Sequence, residues 1–411
     1  MARQAGINLE NVKIRNKSTV LKLLNRKGAM SRKDIAKEVG LTPATVTVLC
    51  TEMIEEGILQ EKGEMQEERR AGRKKILVDI AYGCKCVAAV SIESKKTYIS
   101  ICDLKGNLIN GKIMKTDKTI APKDFLKLIE KECKVLLWEN EKEQRSVLGM
   151  GICIPGIVDR KRGISIHAYG IWKEEVKIRD IMQENMSCPV IVENNIKAFA
   201  EGELLYGAGR TGENLLFVKW GPGVGSAIVT QNQIYEGKDH RAAEIGHYII
   251  EPNGEPCHCG RRGCLETKVS TQAIIKRIRS IYSKEQTPRL YEKTGGDIDQ
   301  ISEDHFTEWA ENNSDLDLSD EEVVKILHKS IERMARTIVN MMTILAPDST
   351  ILFGFMLENE DIRKIFMEYC QQYDSSYTEE YIQKSELSRK IYYIGATAIV
   401  TRQYFFEPKE A

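Results

Sequence analysis

Soft metal ligands crowded into one short stretch constrain this chain more than any other feature. Ala243 to Ser270 reads AEIGHYIIEPNGEPCHCGRRGCLETKVS, which places His247, Cys257, Cys259 and Cys264 within eighteen positions. Three thiolates and one imidazole are the donors of a closed tetrahedral zinc site, and Gly260 and Gly263 let the chain curl tightly enough to present three sulfurs to one ion. A closed set leaves no position for water, so the expected zinc is structural, one per chain. His258 lies between two ligands and is expected to point away if both flanking cysteines converge on the metal. A disulfide framework is the weaker reading. Met1 to Asn11 lacks the apolar stretch of a signal peptide, and no apolar run approaches the roughly 20 residues that span a bilayer. The expected location is therefore the cytoplasm, away from membranes, where thiols stay reduced and the remaining cysteines read as small core residues.

A chain of 411 residues exceeds the roughly 100 to 200 of one domain, so two or three domains are expected. With 42% hydrophobic and 29% charged residues, wholesale disorder is excluded. The neutral total hides an asymmetry: Met1 to Ile80 carries 16 Lys and Arg against 11 Asp and Glu, so a basic head precedes an acidic body. Behind the head, strand-like blocks at Cys86–Ile92, Tyr98–Asp103, Val147–Ile154, Val190–Glu193 and Leu215–Lys219 alternate with helical segments, the pattern of an α/β body. Gly295 to Val324 is rich in Asp and Glu and has no Lys or Arg, which predicts a solvated insertion.

In the head, apolar spacing through Val20–Leu24, Ile35–Val39 and Val46–Ile54 predicts three short helices. Ser31 opens the second and Gly40 ends it, since glycine adopts the left-handed conformation cheaply at a helix C-terminus. Thr42 is a good N-cap and Pro43 suits the first helical position. Helix, glycine turn and helix are thus spaced as in a helix-turn-helix, whose second helix enters the major groove. Ser31, Arg32, Thr42, Thr45 and Thr47 are the candidate contacts to operator DNA. Ile58–Glu61 and Lys75–Val78 read as two strands of a wing, and Arg73, beside Gly72 between them, is suited to a narrow A·T-rich minor groove. One such module makes too few contacts for useful specificity, so a dimer is expected.

The segments GICIPGIVD, VENNIKAFAEGELLYG, GPGVGSAIV followed by YEG, and EIGH...CHCGRRGCLE stand in the order and spacing of the ROK family, named for its repressors, open reading frames and sugar kinases. The resemblance is strongest over Gly151 to Ser270 and extends weakly to Ile351–Gly354 and the final Gly395-Ala396 helix. With the basic head, the chain resembles the family's sugar-operon repressors. The resemblance implies a winged helix-turn-helix (1–80) followed by a two-lobed, actin-like sugar-kinase body with a ribonuclease H-like fold. Its lobes would be 81–197, joined by a C-terminal helix at 390–407, and 198–389. It also implies a homodimer or dimer of dimers that binds a monosaccharide effector between the lobes. Carried over by motif, Asn194, Asn195, Glu244, Glu266 and the zinc ligand His247 would hold the sugar. Pro155-Gly156 would bring backbone close to it, and Trp172 would either cover a sugar face or pack in the core.

Catalytic members of the family carry an aspartate as general base where this chain has Asn195, and an amide cannot accept the hydroxyl proton. The family's phosphate-binding Asp-x-Gly-Gly-Thr falls on Ser91, Ile92, Glu93, Ser94 and Lys95, so both glycines are missing and Glu93 brings negative charge to the phosphate side. The later glycine pair on the adenosine side is reduced to Gly354-Phe355. These losses predict a sugar-responsive repressor that is not an enzyme, with a DNA-tethered sugar kinase as the alternative.

Overall fold

In the computed structural model, which describes residues 9–65, 75–141, 145–302 and 318–407, the local signals of the head resolve into a winged helix-turn-helix. Helix α1 (Leu9–Lys27) buries Val20, Leu21, Leu23 and Leu24 and is longer than its apolar spacing suggested. Helix α2 (Arg32–Val39) starts where the Ser31 hydroxyl accepts the Asp34 N–H, and ends at Gly40 with φ 70°. Helix α3 (Pro43–Glu55) starts where Thr42 accepts the Thr45 N–H, with Pro43 in its first turn. Strands β1 (Met30–Ser31), β2 (Leu59–Met65) and β3 (Lys75–Ile80) pair antiparallel in the order β1-β3-β2. Arg73 and the rest of 66–74 lie outside the described residues.

The next sheet comprises β4 (Lys85–Ile92), β5 (Lys96–Asp103), β6 (Leu108–Lys115), β7 (Ser146–Ile154) and β10 (Val190–Asn194), in the order β10-β7-β4-β5-β6. The pairs β4-β7 and β7-β10 run parallel, and β4-β5 and β5-β6 antiparallel. A small hairpin of β8 (Ile157–Asp159) and β9 (Ile164–His167) stands apart from it. Helices α4 (Pro122–Glu141) and α5 (Ile178–Gln183) cover one face, where Phe125, Ile129, Ile178 and Met182 meet Ala88, Val90 and Ile152. The other face meets α6 (Asn195–Tyr206) and the C-terminal helix Ile394–Thr401. Approach there is close: a Cβ on Gly151 would sit 2.1 Å from the Ala396 carbonyl oxygen.

Two expectations about boundaries change. The head does not keep a core of its own: Leu24, Ile35, Leu49 and Met53 belong to one apolar cluster with Val87, Ala89, Ile399 and Phe406. Asn25 donates to Leu205 O at 3.0 Å and accepts from the Tyr82 hydroxyl at 3.1 Å, while Ser18 donates to Phe406 O. The chain accordingly divides into Met1–Tyr206 with Lys390–Ala411, and Gly207–Arg389. A break after residue 197 would cut α6, whose Ala198 and Gly202 pack against Ile394 and Gly395 of the C-terminal helix; the break falls at the end of α6.

The second unit repeats the sheet plan. Strands β11 (Leu215–Trp220), β12 (Val224–Thr230), β13 (Gln233–Ile234), β14 (Ser349–Phe353) and β15 (Ile382–Lys384) take the order β13-β12-β11-β14-β15. Its first three strands again form an antiparallel meander, and the last two add in parallel. Helices α7 (Glu266–Val269), α8 (Thr271–Ile281), α9 (Pro288–Lys293), α10 (Glu321–Leu345) and α11 (Glu360–Tyr373) complete it. The acidic stretch is not a wholly solvated insertion. Ile301, Leu318 and Val323 are buried in this unit's core, and the buried Asp320 carboxylate accepts the N–H groups of Arg289 (3.1 Å) and Leu290 (2.8 Å) at the start of α9. Its centre, 303–317, lies outside the described residues.

Candidate functional site

The four expected metal ligands come together. One donor atom from each of His247, Cys257, Cys259 and Cys264 lies within 4.8 Å of the others. Cys257 Sγ is 3.5 Å from His247 Nδ1, and Cys259 Sγ is 3.7 Å from Cys264 Sγ. A tetrahedron with Zn–S of about 2.3 Å and Zn–N of about 2.0 Å has edges of roughly 3.6 and 3.8 Å, so the cage has the size of that ion. The loop closes through Cys257 N–H to Arg261 O at 2.8 Å and Gly260 N–H to Cys257 O at 3.0 Å, with Gly260 at φ 86° and Gly263 at φ 69°. Burial, then the positive charge of His258 when protonated and of Arg261, lower the His247 pKa to about 4, so its imidazole is neutral at pH 7 and able to ligate. Burial opposes ionisation of Cys259, but hydrogen bonds from Arg261, Cys257 and Cys264 together outweigh it and hold the thiol below its ordinary value. His258 does not point away as expected: its Nδ1 is 3.2 Å from Glu266 Oε1, and a ring nitrogen stays within 4.8 Å of the Cys257 thiol. It joins His247, Cys257 and Glu266 in a second, overlapping ligand set, but that set gives up two soft thiolates for a half-exposed ring and a carboxylate.

The two candidate glutamates of this unit flank the cage. Glu244 Oε2 is 3.8 Å from His247 Nε2, an ion-pair distance too long for a hydrogen bond. Glu266 Oε2 accepts the Val224 N–H at 2.9 Å. Burial raises its pKa to about 7, against the pull of that N–H and of Lys219, so its carboxyl can donate as well as accept near neutrality. The chain reaches Glu244 through Ala243, held at φ 62° in the left-handed region, where a Cβ costs about 1 kcal/mol. Its carbonyl accepts the Ser226 hydroxyl at 2.5 Å, which fixes the strained peptide. Ala243→Gly is expected to stabilise the protein by about 0.5–1 kcal/mol in urea denaturation; no gain would mean that the Ala243 methyl contributes packing equal to its strain.

In the first unit, Asn194 and Asn195 sit where β10 passes into α6, and their roles differ. Asn194 is an N-cap. Its Oδ1 accepts the N–H groups of Ile196 (2.8 Å) and Lys197 (3.1 Å), and its Nδ2 donates to Gly156 O at 2.7 Å, with Gly156 at φ 99°. Asn195 Nδ2 donates to Glu93 Oε1 at 3.1 Å, and the Ser91 hydroxyl donates to the same oxygen at 3.2 Å. A carboxylate therefore occupies the hydrogen-bonding side of Asn195, at the turn between β4 and β5. In the second unit, the Phe355 ring lies 3.4 Å from where a Cβ of Gly221 would be, covering backbone of the GPGVG loop. Trp172 is a core residue, 4% exposed and edge-on to Phe125.

Sequence reasoning missed a chain of charges beside Asn194. The buried Glu193 lies 3.4 Å from Arg160, whose guanidinium donates to Glu201 at 3.0 Å. Glu201 also holds Arg402 at 2.5 Å; Arg402 reaches Glu407 at 3.4 Å, and Glu407 pairs with Lys22 of α1 at 2.7 Å. The signal was present: Glu201 stands among Ala198, Phe199 and Ala200 on the apolar face of α6, a place a carboxylate occupies only with a partner.

At the head, Ser31 is buried and its hydroxyl bonds Asp34, so it shapes the turn, and Arg32 is tied to Glu61 at 2.9 Å. Thr42 and Thr45 bond each other at 2.8 Å at the start of α3, and the Thr47 hydroxyl donates to Pro43 O at 2.7 Å.

Comparison with known proteins separates the head from the body. The ROK family profile matches residues 87–403, and a profile for winged helix-turn-helix DNA-binding domains matches 15–60. The chain is 26% identical to a xylose repressor of Caldicellulosiruptor bescii over 96% of this chain and 98% of that one. It is 29% identical to a glucokinase of Thermotoga maritima over 60% of this chain and 75% of the other. A solved ROK-family transcriptional regulator, a homologue of Escherichia coli Mlc, superposes with TM-score 0.75 at 21% identity, covering 97% of this chain and 98% of its own. A ROK glucokinase of Streptomyces griseus, solved with glucose and AMPPNP, gives 0.63 at 23% identity over 77% of this chain and all of its own.

Proposed function

The chain belongs to the ROK family, and from that premise we propose that it is a sugar-responsive transcriptional repressor, which releases operator DNA when a monosaccharide binds. Relatives matched along nearly the whole chain are named xylose repressor and N-acetylglucosamine repressor, and the head of this chain matches a winged helix-turn-helix DNA-binding profile. The observation that carries the choice of regulator over kinase is the Glu93–Asn195 hydrogen bond. Phosphoryl transfer needs backbone N–H groups around the phosphates and a base at the sugar hydroxyl. Here a carboxylate stands at the first place and repels phosphate, and an amide with no basic lone pair stands at the second.

The sugar is assigned to Asn194, Asn195, Glu244, Glu266 and His247, with most of Asn194's capacity already spent on the cap. Zinc, one per chain on His247, Cys257, Cys259 and Cys264, fixes the loop from which Glu266 follows two residues after Cys264. When bound, it supplies a structural clamp and no chemistry. The protein works as a homodimer or dimer of dimers on two half-sites, and operator binding places it in the cytoplasm. Operator contact is assigned to Thr42, Thr45, Thr47 and the wing, with Arg73 kept as a candidate from the sequence. The charge chain from Glu193 to Lys22 is the route from the sugar side of the first unit to the head.

Incubation with Mg-ATP and D-xylose, D-glucose or N-acetyl-D-glucosamine is expected to give no sugar-dependent ADP. One of these sugars should raise thermal stability, by about 2.7 kcal/mol at 100 times its dissociation constant. Sugar-dependent ADP formation would favour the alternative, a DNA-tethered kinase. Glu244→Ala should bind operator normally and ignore sugar, giving a permanent repressor in an operator-binding titration; a normal response would remove Glu244 from the sugar site.

A further inference from the structure

The face that α3 turns to solvent has an unusual chemistry for a helix that enters a major groove. Because Val46, Leu49, Cys50 and Met53 are buried, the outward positions are Ala44, Thr47, Val48 and Thr51, spaced i, i+3, i+4 and i+7. Val48 is 57% exposed at the centre of that face. A single surface valine means little. What gives it weight is the lack of any charged or bidentate readout group: Pro43 to Thr51 contains no Arg, Lys, Asn, Gln, Asp or Glu, and its only polar side chains are threonine hydroxyls. The next charge, Glu52, is tied back to α1 by Lys13 at 2.7 Å and Lys17 at 3.5 Å. The Thr47 hydroxyl has given its proton to Pro43 O, and those of Thr42 and Thr45 are engaged with each other. Arg32, the nearest cation on α2, is held by Glu61.

Bidentate recognition of guanine needs Arg or Lys, and of adenine Asn or Gln. This face offers neither; it offers methyl groups. The one apolar group a base pair shows in the major groove is the C5-methyl of thymine. We propose that the recognition helix reads thymine methyls in duplex DNA through a face centred on Val48 and flanked by Ala44 and Thr47. The inference rests on the DNA-binding reading and names what the helix recognises. The excess of 16 basic over 11 acidic residues in Met1 to Ile80 supplies the sequence-independent attraction that such a face lacks. Methyl contacts are non-directional, so they select thymine positions without demanding a fixed side-chain angle.

The test uses the full-length chain and a pool of random duplexes synthesised with thymine. The tightest binders are selected, then remade with uracil, which removes only the C5-methyl. Loss of one buried methyl, at about 0.8 kcal/mol, corresponds to about a fourfold fall in affinity per contacted thymine. The wild-type protein should therefore bind the uracil duplexes at least fourfold more weakly. Val48→Ala should bind the thymine duplexes more weakly and lose most of that discrimination; because Val48 is exposed, the change does not threaten the fold. Groove-shape effects of uracil would persist in Val48→Ala, so the difference between the two proteins isolates the contact. Equal wild-type affinity for thymine and uracil duplexes, or full discrimination by Val48→Ala, would overturn methyl readout while leaving DNA binding in place. If no sequence is enriched from the thymine pool, the DNA-binding reading fails and this inference fails with it.

Discussion

Cys264→Ser is expected to abolish stoichiometric zinc and to cost at least about 3 kcal/mol of stability, the scale of a lost structural metal ligand. Cys264 is fully buried, and its neighbours carry the loop's ties: Leu265 N–H donates to Tyr248 O at 2.8 Å, and Gly263 N–H to Glu255 O at 2.8 Å. A serine there offers the ion a harder, less acidic donor in a cage sized for sulfur. The freed loop should move Glu266 away from the Val224 N–H, so sugar stabilisation should fall together with the melting temperature. Metal analysis and thermal melting, with and without chelator, measure both. Wild-type protein prepared without chelator and carrying no zinc would contradict the assignment, as would a Cys264→Ser variant with unchanged metal and melting.

The second large effect is expected from Arg402→Gln. Arg402 is 13% exposed and bonds Glu201 on one side and Glu407 on the other. Its removal leaves the Glu201 carboxylate, 6% exposed, with Arg160 as the remaining partner of that chain. Breaking a buried ion pair from one side costs about 3–5 kcal/mol; the retained Arg160 should keep the loss toward the lower end. Glu407, relieved of one cation, still has Lys22. Operator binding and sugar binding should each persist, while the factor by which sugar weakens operator affinity falls. That separation identifies coupling, since a purely structural defect would weaken both partners' binding together. Arg402→Lys, which restores the charge without the fork geometry, should recover part of the response. An undiminished sugar response in Arg402→Gln would show that the signal travels elsewhere.

The sequence exposed what is local and hid what is distant. The Cys/His cluster was legible because its four candidate ligands lie close together in sequence and cysteine leaves few other readings. The helix-turn-helix was legible because caps and turns are short-range: Ser31, Gly40, Thr42 and Pro43 each act within a few residues. The charge chain was hidden because Glu193 and Glu201 share one segment while the arginines that pair with them, Arg160 and Arg402, lie far from it in sequence; Glu201 alone signalled that a partner was needed. Replacement of the phosphate loop could be read from the missing glycines, but not the bond by which Glu93 engages Asn195. Asn194 likewise looked like a ligand-binding amide; its capping of α6 depends on where β10 ends. The acidic stretch misled because charge marks solvated surface on average, while Asp320 is held by two backbone N–H groups that only the fold supplies.

Sugar-dependent release from DNA is tested most directly by titrating a duplex selected from random sequence with the full-length protein. The titration is run alone and with a saturating concentration of whichever monosaccharide most raises its melting temperature. A tenfold fall in operator affinity requires about 1.4 kcal/mol of coupling, and reciprocity then demands that the duplex weaken sugar binding tenfold. The expected result is a loss of at least that size in both directions. An operator affinity that the sugar leaves unchanged, or tightens, would contradict derepression.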